Sequence, residues 1–104
     1  MISVLILTLN EERNLSECLD AVKWSDDIVV FDSFSTDRTC EIAHAAGVRV
    51  VQHEYLGPAE QKNWALDNLP INADWVLILD ADERVTAALR DEIVGLIAAP
   101  GGSR

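Results

Sequence analysis

Asp80-Ala81-Asp82-Glu83 places three carboxylates within four residues, directly after the apolar run Trp75 to Leu79. Carboxylate oxygens suit hard divalent cations, which are usually shared between one or two carboxylates and substrate phosphates. In an extended segment, residues i and i+2 project to the same side. Asp80 and Asp82 would then converge on one ion, with Glu83 turned away. The alternative is a charged turn leading into a helix, with Asp82 or Glu83 near its start. An isolated Asp-x-Asp does not decide between the two. Two other apolar runs end in the same manner: Thr8, Asn10 and Glu11 follow one, and Asp32 and Ser33 follow another.

Such groups need elements that bring them to one place. Strands rich in Val, Ile and Leu are predicted over Met1–Leu9, Ile28–Phe31, Val48–Val51 and Trp75–Leu79, the last buried on both faces. Leu15, Leu19 and Val22 recur at helical spacing, predicting a helix from Asn14 to Trp24. A second helix takes Ser35 or Thr36 as its N-cap, with Asp37 at the positive end of its dipole, and stops at Gly47. A third starts at Pro58 and runs to about Asn68, with Trp64, Ala65 and Leu69 inward and Pro70 ending it. Thr86 caps a fourth, whose buried face is Leu89, Ile93, Leu96 and Ile97.

The alternation implies an α/β fold: a Rossmann-like parallel sheet of about four strands with flanking helices and right-handed crossovers. Thr8, Asn10, Asp32, Ser33, His53, Asp80 and Asp82 then share the carboxyl edge, where open α/β sheets bind ligands. The chain contains neither G-x-G-x-x-G nor a P-loop, so neither of those nucleotide sites is expected.

The 104 residues carry 18 Asp and Glu against 8 Lys and Arg, a formal charge of −10. That balance argues against a nucleic-acid partner. It would also repel a phosphorylated ligand unless a cation intervened. One domain is expected over residues 1–99, with 100–104 as a tail or truncation point. Cys18 and Cys40 lack metal-ligand spacing and read as buried thiols. The run Val4 to Leu7 is too short for a signal peptide or a membrane span, so a cytoplasmic location is expected.

Three segments in order resemble one family. They are Thr8-Leu9-Asn10-Glu11-Glu12-Arg13-Asn14-Leu15, the stretch Val29 to Thr39 around Asp32-Ser33-Phe34-Ser35-Thr36-Asp37, and Asp80-Ala81-Asp82-Glu83. Together they resemble the family-2 glycosyltransferases of GT-A fold. With Gln61-Lys62-Asn63-Trp64, they are most similar to the lipopolysaccharide-core glucosyltransferase-like branch.

The resemblance implies that Thr8 and Glu11 contact the nucleoside of a nucleotide-sugar, by family default a UDP-sugar. It implies that Asp32 accepts a hydrogen bond from base or ribose, and that Lys62 lies beside the nucleotide. Asp80 and Asp82 would hold the sugar-nucleotide and a divalent cation, Mn²⁺ or Mg²⁺. The implied acceptor is a saccharide or lipid-linked saccharide, with peripheral association at the inner face of the cytoplasmic membrane. The family's acceptor half and its usual catalytic base lie beyond the metal motif. The sequence therefore resembles the donor-binding half of an inverting enzyme, inactive alone, with its base expected beyond Arg104. Phe34 departs from the family pattern, which has Gly there. Two non-enzymatic readings stand beside this one. The first is a nucleotide-binding or protein-interaction domain without catalysis. The second, a receiver-like phospho-acceptor, is disfavoured by Thr8-Leu9-Asn10 and Gln52-His53 at the positions that need acids.

Overall fold

The computed structural model describes residues 2–69 and 75–98, with side chains of the last helix described through Gly95. Four strands and four helices alternate: β1 (Ile2–Thr8), α1 (Leu15–Val22), β2 (Asp27–Asp32), α2 (Thr39–Ala45), β3 (Arg49–Gln52), α3 (Pro58–Asn68), β4 (Trp75–Asp80) and α4 (Ala87–Ala98). All pairings are parallel, in the order β3-β2-β1-β4. The expected α/β architecture is present. The predicted stop at Pro70 and the tail 100–104 lie outside the described residues.

Alternation along the strands splits the core into two layers. Val4, Ile6 and Val30 face Leu15, Cys18, Leu19 and Val22 of α1 and Ala43 of α2. Leu5, Val29 and Phe31 face Ala65 and Leu69 on the α3 side, with Trp64 packed alongside. The helical spacing that named Leu15, Leu19, Val22, Ala65 and Leu69 thus picked out buried faces. No helix among the described residues is long and apolar enough to cross a membrane.

Four expectations need correction. Trp75 to Ile78 are only partly buried, because β4 is the edge of the described sheet and has one strand neighbour. The helix predicted to start at Ser35 or Thr36 begins at Thr39. Those earlier residues tie two loops together instead: Ser35 Oγ accepts Asn10 N–H at 2.7 Å, and Thr36 N–H donates to Asn10 Oδ1 at 2.8 Å. On α4, Leu89 is 41% exposed. Apolar spacing identifies a helix's adhesive stripe, not whether a neighbour covers it; Leu96 and Ile97 lie outside the described side chains. Thr86 does cap α4, accepting Leu89 N–H at 3.1 Å. Finally, the acidic segment is a turn rather than extended chain, with Glu83 N–H donating to Asp80 O at 2.9 Å.

Among the described residues, two non-glycine residues sit at positive φ, Asn10 at 54° and Phe34 at 59°. Asn tolerates this region; for an aromatic residue it costs roughly 1–2 kcal/mol. The Phe34 ring is 56% exposed, so little packing offsets that cost. Glycine relieves the strain but adds about 0.4–1 kcal/mol of unfolded-state entropy. Phe34→Gly is therefore expected to stabilise the fold by about 0.5–1 kcal/mol. Urea denaturation should show a higher midpoint at unchanged slope; a lower midpoint would mean that the Phe34 ring contributes more than its exposure suggests.

Candidate functional site

The strand order reverses between β1 and β4, since the chain proceeds outward from β1 to β3 and then returns to β1's other side. Such switch points open a crevice at the carboxyl ends of the strands. Here it is a hollow of about 340 Å³ lined by Leu7, Thr8, Leu9, Glu11, Ser33, Tyr55, Pro58, Gln61, Lys62, Asp80 and Asp82. Five of the six residues singled out from sequence, Thr8, Glu11, Lys62, Asp80 and Asp82, therefore meet in one place.

Local chemistry explains how each is presented. Thr8 ends β1, and its hydroxyl donates to Asp32 Oδ1 at 2.6 Å. Asn10 at positive φ turns the chain back, and its Oδ1 accepts the N–H groups of Thr36 and Asp37 at 2.8 and 3.3 Å. Glu11 N–H donates to Thr39 Oγ1 at 2.9 Å, anchoring the loop on the start of α2. Asp37 behaves as a helix-start residue: Oδ1 accepts Thr39 N–H at 2.9 Å and Oδ2 accepts Glu12 N–H at 3.1 Å. Slight burial opposes its ionisation, but the Thr39 hydroxyl, with those two N–H donors, holds its carboxyl below the ordinary range.

Asp80 ends β4, and Asp82 sits in the turn that follows. Glu83 does not point away as an extended segment would require. Its Oε1 folds back to accept Asp80 N–H at 2.7 Å, closing the turn from both ends. Lys62 projects from α3 into the crevice and makes no ion pair among the described residues. The crevice therefore sets three carboxylates, Glu11, Asp80 and Asp82, against one described cation. No group of three or more metal-type ligands occurs among the described residues. Two exposed carboxylates are nonetheless a fitting donor set for a hard ion that takes its other ligands from phosphate and water.

Asp32 is not among the lining residues. It is fully buried, and its carboxylate accepts Thr8 Oγ1, Ser35 N–H at 2.8 Å, Ser35 Oγ at 2.5 Å, Gln52 Nε2 at 3.2 Å and Cys40 Sγ at 3.3 Å. Burial alone would raise its pKa, but these donors outweigh burial and hold it below the ordinary carboxylate range. The same surroundings push the Cys40 thiol up to about 11, first by burial and then by the adjacent carboxylate. It is a poor nucleophile at neutral pH.

Gln61 and Tyr55 belong to the crevice; from sequence Gln61 entered only as part of the Gln61-Lys62-Asn63-Trp64 segment, without a site role, and Tyr55 was not singled out. Gln61 is buried and bridges Leu56 N–H at 3.2 Å and Ser33 Oγ at 3.0 Å. Its signal was available: it lies four residues before Ala65 on the inward face of α3, where an amide has no reason to be unless it is bonded. Tyr55 sits in an irregular loop and gave no periodic signal. Trp64 is a packing residue, stacked on Phe31 at 5.5 Å and tilted against His53 at 4.0 Å between ring centroids.

A larger hollow, about 620 Å³, opens at the opposite edge of the sheet beside Asp27 and Arg49. Its one deeply buried charge is already engaged, since Asp27 accepts from Ser3 Oγ and pairs with Arg49.

Comparison with known proteins identifies the family. The family model described as glycosyl transferase family 2 matches residues 3–101. The chain belongs to glycosyl transferase family 2. Its relatives include an uncharacterised glycosyltransferase of Rickettsia conorii, 40% identical over 99% of this chain and 36% of its own length. The lipopolysaccharide core biosynthesis glycosyltransferase LpsC of Rhizobium meliloti is 36% identical over 94% of this chain and 37% of its own. The chain thus spans just over a third of the length of these two relatives. Among solved structures, glucosyl-3-phosphoglycerate synthase of Mycobacterium tuberculosis, in complex with Mn²⁺, UDP and phosphoglyceric acid, aligns at a TM-score of 0.77. That alignment has 28% identity and covers 97% of this chain and 40% of the other. S. aureus TarS in complex with UDP-GlcNAc aligns at 0.77 with 26% identity, over 92% of this chain and 30% of TarS. The fold is thus the N-terminal part of a GT-A nucleotide-sugar-binding fold.

Proposed function

We propose that the crevice between β1 and β4 binds the nucleoside diphosphate of a sugar donor, a UDP-sugar, for transfer to a saccharide acceptor. The observation that carries this reading is the meeting of Thr8, Glu11, Lys62, Asp80 and Asp82 at the switch point. The UDP and Mn²⁺ of the mycobacterial neighbour support it. Asp80 and Asp82 would hold a divalent cation, Mn²⁺ or Mg²⁺, which when bound neutralises charge on the departing diphosphate. Lys62 adds a positive charge on the α3 side. Thr8 and Glu11 face the nucleoside. Asp32 would reach base or ribose only by exchanging one of its in-chain donors.

In the whole protein, a carboxylate beyond Arg104 would take the acceptor's hydroxyl proton. The oxygen would then displace the diphosphate at the anomeric carbon in one inverting step. A lipopolysaccharide-core acceptor would place that reaction at the inner face of the cytoplasmic membrane. No described carboxylate outside the donor set lines the crevice, so these 104 residues are expected to bind donor without transferring sugar. Incubation with Mn²⁺, labelled UDP-glucose and a core-oligosaccharide acceptor should give saturable donor binding and no glycoside. Absence of binding would overturn the donor site, and metal-dependent glycoside formation would overturn the assignment of the base.

A further inference from the structure

One guanidinium ties the acidic turn after β4 to the loop after β1. Arg84 Nη1 donates to the carbonyl oxygens of Ala81 at 2.8 Å and Glu83 at 3.0 Å. Its Nη2 donates to Asn14 Oδ1 at 3.3 Å and lies 3.7 Å from Glu17 Oε1. Asn14 Nδ2 in turn donates to Glu11 Oε1 at 3.1 Å. A continuous path therefore runs from the turn bearing Asp82 to the carboxylate of Glu11 on the facing wall. Neither Arg84 nor Asn14 lines the crevice itself.

We propose that Arg84, acting through Asn14, is a positioning residue that fixes the separation of Glu11 from Asp80 and Asp82 for a cation-bound diphosphate. The proposal rests on the donor-site reading above. The turn is already closed by its own hydrogen bonds at both ends of Asp80. What Arg84 adds is a fixed relation between that turn and the β1 loop. Glu11, Asp80 and Asp82 repel one another across the crevice, and a planar fork pinned on both sides resists their splaying. Lysine carries the same charge but lacks the fork that grips several acceptors at fixed angles.

The sign of the effect separates positioning from simple electrostatics. A positive charge near a cation site weakens cation binding, so removing it should tighten binding if charge alone mattered. Positioning predicts the reverse. Mn²⁺ affinity in saturating UDP, read by electron paramagnetic resonance, should fall about 10-fold in both Arg84→Lys and Arg84→Gln, as is typical for loss of outer ligand-orienting groups. Asn14→Ala should weaken it in the same direction, and it leaves Arg84 in place should that residue be needed for folding. Metal-free UDP binding should fall by less than the Mn²⁺ affinity does. Wild-type affinity in Arg84→Lys, or tighter binding in Arg84→Gln, would overturn the proposal. Failure of the unmutated chain to bind Mn²⁺ with UDP would instead overturn the donor-site reading.

Discussion

Asp82→Asn is expected to abolish the advantage that Mn²⁺ gives to UDP binding. The substitution keeps the side chain's volume and removes its anionic oxygen, the feature a hard cation needs. Calorimetry of the unmutated chain should show UDP binding at least 10-fold tighter in Mn²⁺ than in EDTA, about 1.4 kcal/mol. In the variant the two titrations should coincide near the metal-free value. Asp82 is exposed in a turn held by hydrogen bonds through Asp80, Ala81, Glu83 and Arg84. The thermal midpoint should therefore stay close to that of the unmutated chain. A metal advantage preserved in Asp82→Asn would remove Asp82 from the cation site.

Asp32→Ala should act on the fold before it acts on any ligand. The carboxylate holds Thr8 at the end of β1 and Ser35 in the loop after β2, together with Gln52 on β3. Hydrogen bonds to a charged group are worth about 1.5–3 kcal/mol each, and donors left buried and unpaired add to the loss. A destabilisation of about 3 kcal/mol or more at neutral pH is expected, a large share of a typical domain's total stability. The sign with pH follows from the lowered pKa of Asp32 in the folded state. Its contribution is full above the unfolded value of about 3.9 and is lost as pH falls through the lower folded value. Denaturation midpoints of Asp32→Ala and the unmutated chain should therefore converge on acidification below about pH 4. A constant gap down to pH 2 would show that the loss comes from packing rather than from the ionised carboxylate.

The elements were legible because each apolar run ended at a turn residue or a cap. Gly47 sits at φ 77° just past α2, and Pro58 opens α3 as its type predicts. The crevice was legible because its acids and its Lys fall at strand ends and on one helix start, which topology alone brings together. Asp32 was not fully legible: a strand-end acid is a ligand candidate from sequence, and only tertiary contact reveals five donors already on it. The Asp-x-Asp geometry was not legible either. Whether the chain stays extended depends on Glu83 reaching back to Asp80, and period-2 reasoning cannot see that bond. Arg84 was invisible for a related reason. Its partners, Asn14 and Glu17, lie about 70 residues earlier.

The most direct test of the donor site is where Mn²⁺ sits on the chain. An amide correlation spectrum of the labelled protein with UDP, titrated with sub-stoichiometric Mn²⁺, reports that position through paramagnetic broadening. The amides of Asp80 to Arg84 and Glu11 should vanish first, followed by Thr8 and Lys62, while Asp26, Asp27 and Arg49 at the opposite edge stay sharp. Broadening centred on Asp26 and Asp27, or spread evenly over the acidic surface, would contradict a metal-assisted donor site at the β1–β4 crevice.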